Sequence, residues 1–383
     1  MSNTSQPEQA LDSFRQSFPA LAENVHLASC SQGALSTRLT SALFEMQHTM
    51  RQYGAPWDRW TVEVERARSA FANFIHAAPE EVAIVSCASE GAYHVASTRD
   101  WAARPRIVST DMEFPSVAHV WLAQASRGAE VVHVGNRDGV VPAEEYVKEI
   151  DERAGLVSIP LASYRNGARM PVAEAAKAAR DVGAKVFVDG YQAAGVVPVD
   201  VRELDCDYFV TGTLKYMLGL PGLAFLYVRG GTVDESPSQL TGWFGQRDPF
   251  TFDPRTLEPA ADARRFQTGT PSVPSAYAAN AGLDLLGSVP KEAVSQRVGE
   301  LVDRMHQELE SQGERLWSPS DPGLRGPMVA LLDESPERLA AFLAQRSIHT
   351  SPRGSVLRLS FHGYNDDADV EATCQAIRDY RAS

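Results

Sequence analysis

The chain has 383 residues, 44% of them apolar and 22% charged, and its 49 acids against 36 lysines and arginines leave a net charge of −13. That length exceeds one ordinary hydrophobic core and calls for a large domain with a smaller companion. The acidic balance excludes a sequence-independent grip on nucleic acid or on an anionic membrane, so the expected partners are small molecules or copies of the chain itself.

The amino terminus, "MSNTSQPEQA", has neither the basic start nor the apolar run of a secretory signal, which points to the cytoplasm. The longest apolar stretch, Leu214 to Val228, is broken by Gly219, Pro221 and Gly222 and is too short for a membrane helix. Cys30, Cys87, Cys206 and Cys374 are scattered without a CxxC pair, so neither a disulfide framework nor a zinc site is expected. No HExxH motif or carboxylate cluster calls for a metal either.

From about Glu81 short β-branched runs alternate with amphipathic stretches: "EVAIVS", "SEGAYHVASTRD", "RIVST", "PSVAHVWLAQASRG", "AEVVHVG", "GLVSIPLA", "PVAEAAKAARDVG", "KVFVDG", "DYFVTGT" and "LAFLYVRG". Apolar runs without polar alternation mark strands covered on both faces, hence an α/β chain with a largely parallel sheet between helices. The segment "TGWFGQRDPFTFDPRTLEPAADARRFQTGTPSVP" is rich in Gly, Pro and aromatics and reads as irregular. Beyond it, "KEAVSQRVGELVDRMHQELESQG" predicts a long helix. "GPMVALLD", "SPERLAAFLAQRSI", "SVLRLSFHGY" and "DADVEATCQAIRDYRA" complete a small α/β satellite of about ninety residues.

Within the sheet, "VFVDGYQ" ends a buried strand in a carboxylate, Asp189. Ligands gather at the carboxyl ends of strands in open α/β sheets, whereas an Asp-Gly pair alone makes only a turn. Lys215 then follows in "VTGTLKYMLGLPG", set among Leu214, Tyr216, Met217 and Leu218. A lysine in apolar surroundings is rare unless it is paired or used chemically. An acid, an amide three residues later and such a lysine fit together around pyridoxal 5'-phosphate, which needs a lysine Schiff base and an acid facing its ring nitrogen. Gln192 is placed to donate a hydrogen bond to the ring's phenolic oxygen.

With these residues the sequence resembles the class V branch of fold-type I pyridoxal phosphate enzymes, which includes cysteine desulfurases, kynureninases and isopenicillin N epimerase. The likeness runs from "HLASCSQGALS" to "LRLSFHGYNDDADV". It implies a large domain with a mostly parallel seven-stranded sheet over residues 61–285, a small domain over 286–383, and an amino-terminal segment, 1–60, packing on both. It implies a homodimer with active sites at the interface and a small amino acid as substrate.

The implied cofactor ligands are Asp189, Gln192 and the Schiff-base Lys215, with Ala88 and Ser89 of "VSCASEGAYHVAS" at the phosphate and Phe114 of "STDMEFPSVAHVW" on the pyridine face. "LTGWFGQRDPF" and "RRFQTGTPSVP" resemble kynureninase segments in which Trp243 and Thr270 would reach a phosphate, partly across the dimer. Tyr164 in "SYRNG" resembles a kynureninase tyrosine at the substrate. In "SVLRLSFHGYN", Leu357, Leu359 and Phe361 face one side and Arg358 and Ser360 the other. Arg358 matches the family arginine that pairs with the substrate carboxylate as a bidentate fork.

Two departures matter. No cysteine lies between Lys215 and Arg358, where desulfurases carry their nucleophile, so persulfide chemistry is not expected. Leu214 stands where the family has His or Tyr at the phosphate, and Thr213 or Thr211 is the nearest substitute hydroxyl. The resemblance to kynureninase favours lyase or hydrolase chemistry at Cβ, with Lys215 shuttling the Cα proton. Transamination, epimerisation and a pyridoxal-binding protein without turnover are the alternatives.

Overall fold

The computed structural model describes residues 6–232 and 238–383. The chain opens with helix α1 (Gln6–Gln16), the short strand β1 (Val25–His26) and helices α2 (Thr37–Tyr53) and α3 (Trp57–Phe74). The large sheet is built from β2 (Val82–Val85), β3 (Arg106–Thr110), β4 (Glu130–Val134), β5 (Ala154–Pro160), β6 (Lys185–Asp189), β7 (Tyr208–Gly212) and β8 (Ala224–Val228). Helices α4 (Ala88–Thr98), α5 (Pro115–Ala123), α6 (Ala143–Glu149) and α7 (Val172–Val182) make the crossovers. The rest is α8 (Val273–Leu286), α9 (Lys291–Ser311), β9 (Met328–Leu332), α10 (Pro336–Ala344), β10 (Ile348–His349), β11 (Ser351–Arg353), β12 (Val356–Ser360) and α11 (Asp367–Ala382).

The seven strands run in the order β2-β8-β7-β6-β5-β3-β4, and only β8 is antiparallel to its neighbours. The continuous apolar runs hide a period of two. Val186 and Val188 enter one apolar cluster while Phe187 enters the cluster on the opposite face, because successive side chains on a strand point to opposite faces. Both faces are covered by helices, so no polar residue marks the alternation.

This topology decides where chemistry can occur. β2, β3, β5, β6 and β7 all end at one edge, where the loops carrying Ala88, Phe114, Tyr164, Asp189 and Lys215 emerge. Because β8 returns antiparallel beside β7, the chain must reverse between Gly212 and Ala224, and Lys215 sits in that reversal. The Thr213 hydroxyl ties the turn by donating to the Leu220 and Leu223 carbonyls, and Gly219 N donates to Thr213 O.

The small carboxyl-terminal layer is the antiparallel sheet β11-β12-β9 with α9, α10 and α11. The amino-terminal segment touches both parts: α1 packs on α9, β1 pairs with β10, and α2 packs on α8. Residue 60 lies inside α3, which packs along α8. All four cysteines are unpaired, and among the described residues no helix is long and apolar enough to cross a membrane.

Helix α8 is buried along almost its whole length. At its Gly282 an added Cβ would lie 2.2 Å from the Met217 carbonyl oxygen, part of the lysine loop. Replacing that glycine by alanine gains up to about 1 kcal/mol of helix propensity, but overpacking against a backbone atom costs about 1 to 3 kcal/mol. Gly282→Ala is therefore expected to lower the denaturation midpoint, and a raised midpoint in urea unfolding would show that the loop moves aside freely.

Candidate active site

A cavity of about 260 Å³ opens at the carboxyl edge of the sheet, with Lys215, Asp189, Gln192, Ala88, Ser89, Phe114 and Tyr164 among its walls. The structure thus gathers seven of the expected site residues in one place.

Lys215 is nearly buried, and desolvation pulls its pKa down to about 8 against the opposing pull of the Asp189 charge. Its Nζ stands 5.3 Å from the centre of the Phe114 ring and 4.2 Å from that of Tyr191. Phe114 meets Tyr164 edge to face, with ring centres 4.9 Å apart.

Asp189, 5% exposed, accepts the Tyr191 backbone N–H at 2.8 Å. Burial raises its pKa, and that N–H and the Lys215 ammonium work against the rise. A second carboxyl group lies beneath it. Glu113, 4% exposed, accepts from Phe114 N at 2.8 Å and from the Ser158 hydroxyl at 3.2 Å, and that hydroxyl accepts from Trp121 Nε1 at 2.9 Å. Burial first and the Asp189 charge second push the Glu113 pKa well up. Glu113 is thus pushed toward its neutral form, while the Lys215 charge draws Asp189 toward its ionised form.

Gln192 donates from Nε2 to Cys30 O at 3.2 Å, while its buried Oε1 has no partner. A buried amide oxygen without a donor is uncommon and marks a place for a ligand. At the other end of the cavity α4 begins with no side-chain cap at Cys87, so the N–H groups of its first turn remain open to an anion. Ser89 Oγ donates to Ser116 O at 3.3 Å.

Arg358 stands beside the cavity rather than on its wall. It is 1% exposed on β12, and its guanidinium donates to Tyr164 O at 3.0 Å, Ser351 O at 3.2 Å and Ser351 Oγ at 2.7 Å. Among the described residues it has no carboxylate partner. A buried cation held only by neutral oxygens is expensive, and an entering carboxylate would compensate it.

Three expected residues fall elsewhere. Thr213 is buried with its hydroxyl committed to the turn and does not line the cavity. Trp243 meets Phe244 and Phe250 edge to face and Phe252 at a tilt, in a half-exposed aromatic group outside it. Thr270 is exposed. Conversely, the sequence expectations omitted Glu113 and Tyr191. Each is adjacent in sequence to a residue that was singled out, and an acid between Met112 and Phe114 was the available signal.

Before Arg358 the chain makes a tight hairpin, β11 to β12, in which Arg353 pairs with Val356 and Gly354 takes φ +59°. This leaves no loop to carry a nucleophilic cysteine toward the cavity. No group of three or more His, Cys, Asp or Glu able to hold a metal occurs among the described residues.

These residues fit pyridoxal 5'-phosphate: an uncapped helix amino end for phosphate, a buried acid for a ring nitrogen, an aromatic face, an amide oxygen without a partner among the described residues and a lysine of lowered pKa. Comparison with known proteins points the same way. The model of the family described as "Aminotransferase class-V" matches residues 43–373. The chain is 36% identical to the "Uncharacterized aminotransferase YcbU" of Bacillus subtilis (strain 168), over 97% of each chain. It is 25% identical to a kynureninase of Geobacillus thermodenitrificans, over 92% of this chain and 87% of the other. Among solved structures, the apo cysteine desulfurase of Thermococcus onnurineus NA1 superposes with a TM-score of 0.87 over 99% of each chain at 23% identity. From its matched span and its likeness along almost its full length, the chain belongs to the class V aminotransferase family of fold-type I pyridoxal phosphate-dependent enzymes.

Proposed function

We propose that the protein acts on a small α-amino acid and breaks or exchanges a bond at Cβ, a lyase or hydrolase outcome. The observation that carries an amino-acid substrate is Arg358, a buried guanidinium next to the lysine cavity that has no anionic partner among the described residues. Its fork suits a planar carboxylate and would hold the substrate's α-carboxylate in one orientation.

When bound, pyridoxal 5'-phosphate supplies an electron sink for the α-carbon. The protein's share is positioning and proton transfer. Lys215 Nζ would hold the cofactor, and its pKa of about 8 suits a base that takes the Cα proton near neutral pH and an acid that returns it. Asp189, drawn toward its ionised form by a neighbouring positive charge, would keep the ring nitrogen protonated. The Ala88–Ser89 end of α4 would face the phosphate. Phe114 and Tyr164 would cover one face of the cofactor and exclude water.

Trp243 and Thr270 would serve only by reaching the cavity of a second copy, so we propose a homodimer. The aromatic group around Trp243 and the exposed Phe44, Met50, Tyr53 and Trp57 of α2 and α3 support a covered surface there. We further place the enzyme in the cytoplasm, where four unpaired cysteines stay reduced. Cβ chemistry is supported by kynureninase relatives and by the "GWFGQRDPF" and "RFQTGTP" segments. The name of the Bacillus relative favours a second outcome, transamination.

Three experiments test this. Borohydride added to the protein with pyridoxal 5'-phosphate should fix the label on Lys215 in peptide mass analysis. A label elsewhere, or none, would remove the central claim.

Arg358→Lys replaces a fork with a point charge. Losing a charge-assisted pair costs about 1.5 to 3 kcal/mol, which is roughly a tenfold or larger rise in KM. An unchanged KM for a carboxylate substrate would put Arg358 outside the binding pocket.

For the reaction type, the best amino acid from a spectral screen is added without any 2-oxo acid. Continued turnover with the cofactor unchanged at the end is expected for Cβ chemistry. Stoichiometric pyridoxamine phosphate, restored to the aldehyde by pyruvate or 2-oxoglutarate, would make the enzyme a transaminase.

A further inference from the structure

The phosphate end of the cavity is short of donors on the side of the lysine loop. Leu214, directly before the lysine, has no polar atom beyond its backbone, and the Thr211 and Thr213 hydroxyls both donate to main-chain carbonyls. Ser89 is likewise committed, to Ser116 O. One hydroxyl of the cavity wall near these groups is different. Tyr191, which lines the cavity, has no hydrogen-bond partner for its hydroxyl among the described residues.

The position of that hydroxyl is set by a glycine. A Cβ on Gly212, the last residue of β7, would lie 2.0 Å from Tyr191 Oη and 2.2 Å from Cζ. The phenol therefore lies across the end of β7, in space that any side chain at 212 would fill. Because β2 and β7 end at the same edge and α4 packs back over β7, the uncapped start of α4 stands at that edge as well. Cys87, the residue that begins α4, is close enough to act electrostatically on the phenol. The unpartnered Oε1 of Gln192, one residue along, independently marks the same cavity as a place for a polar ligand.

Resting on the cofactor assignment made above, we infer that the Tyr191 hydroxyl is a ligand of the cofactor's phosphate, with Gly212 as the residue that makes room for it. It supplies from the turn after β6 the contact that Leu214 and Thr213 do not supply from the lysine loop. Burial, Asp189 and Cys87 all push the phenol's pKa up, so it remains an O–H donor beside an anion. The ring has a separate role as a surface under the Lys215 ammonium, 4.2 Å away.

Tyr191→Phe separates the two roles, because it keeps the ring and removes only the hydroxyl. The full-length protein, stripped of cofactor, is titrated with pyridoxal 5'-phosphate and with pyridoxal, which lacks the phosphate, and binding is followed by absorbance. The variant should bind pyridoxal 5'-phosphate at least about tenfold more weakly, one charge-assisted hydrogen bond. Its affinity for pyridoxal and its melting temperature without ligand should match the parent's. Equal affinity of parent and variant for the phosphorylated ligand would overturn the inference and leave the cofactor assignment standing. An equal loss for both ligands would overturn it too, by assigning Tyr191 to the ring. A parent that binds neither ligand would remove the cofactor assignment, and the inference with it.

Discussion

Everything in this fold converges on the backbone of one short turn, the reversal from β7 to β8 that carries Lys215. Four parts of the chain hold it. Gly33, from the amino-terminal segment, donates its N–H to Leu214 O, and a Cβ there would lie 2.5 Å from Lys215 O. Gly195, downstream of Asp189, leaves only 2.2 Å between its own would-be Cβ and Tyr216 O. His362, from the small domain, donates from Nε2 to the same Tyr216 carbonyl, because its Nδ1 is occupied as an acceptor by Gly363 N. Helix α8 closes the fourth side. A reversal inside a sheet exposes peptide groups that a buried loop must satisfy, and here each neighbour either bonds one of them or lacks the side chain that would keep it away. The amino-terminal segment and the small domain are thereby structural parts of the site, although neither contributes to the large sheet.

That grip is what allows the charges nearby. Lys215 and Arg358 are buried cations, and Asp189 and Glu113 are buried carboxyl groups. In a dry site the arrangement of lowest energy keeps as few of them charged and unpaired as possible. Burial and the Asp189 charge push Glu113 toward its neutral form, desolvation draws Lys215 toward losing its proton, and the Lys215 charge works against the rise at Asp189. Arg358 cannot yield. Among the described residues no anion balances it, so in the reading proposed above substrate binding would also neutralise this charge. The same reasoning explains why the guanidinium is wrapped in three neutral oxygens, which fix its plane without cancelling its charge.

The sheet was legible because it is buried on both faces: a strand with no room for polar residues reads as a continuous apolar run. Asp189 and Lys215 stood out as polar residues where such a run should continue. What could not be read was depth and direction. The alternation in "SVLRLSF" places Arg358 opposite Leu357 and Leu359 but does not say that the second face is also covered, and all of β12 is buried. Thr213 looked like a free hydroxyl near the lysine, and only the turn shows that it is consumed by Leu220 O. Glu113 was passed over because its meaning is tertiary: an acid becomes a pKa-setting group only when another acid lies beside it. Trp243 and Thr270, matched through the kynureninase likeness, lie outside the cavity of their own chain.

The hairpin before Arg358 narrows the chemistry further than the missing cysteine alone does. β11 and β12 are joined by a short reversal, with Arg353 paired to Val356. The backbone that would have to sweep a nucleophile over the substrate is committed to ladder hydrogen bonds. Cys30 is buried behind Gln192, and its carbonyl rather than its thiol meets that side chain. Cys87 does line the cavity, at the start of α4, whose open N–H groups would face the cofactor's phosphate in the reading proposed above. The Cβ chemistry proposed above would rely on proton transfer and on water, with Lys215 as its base.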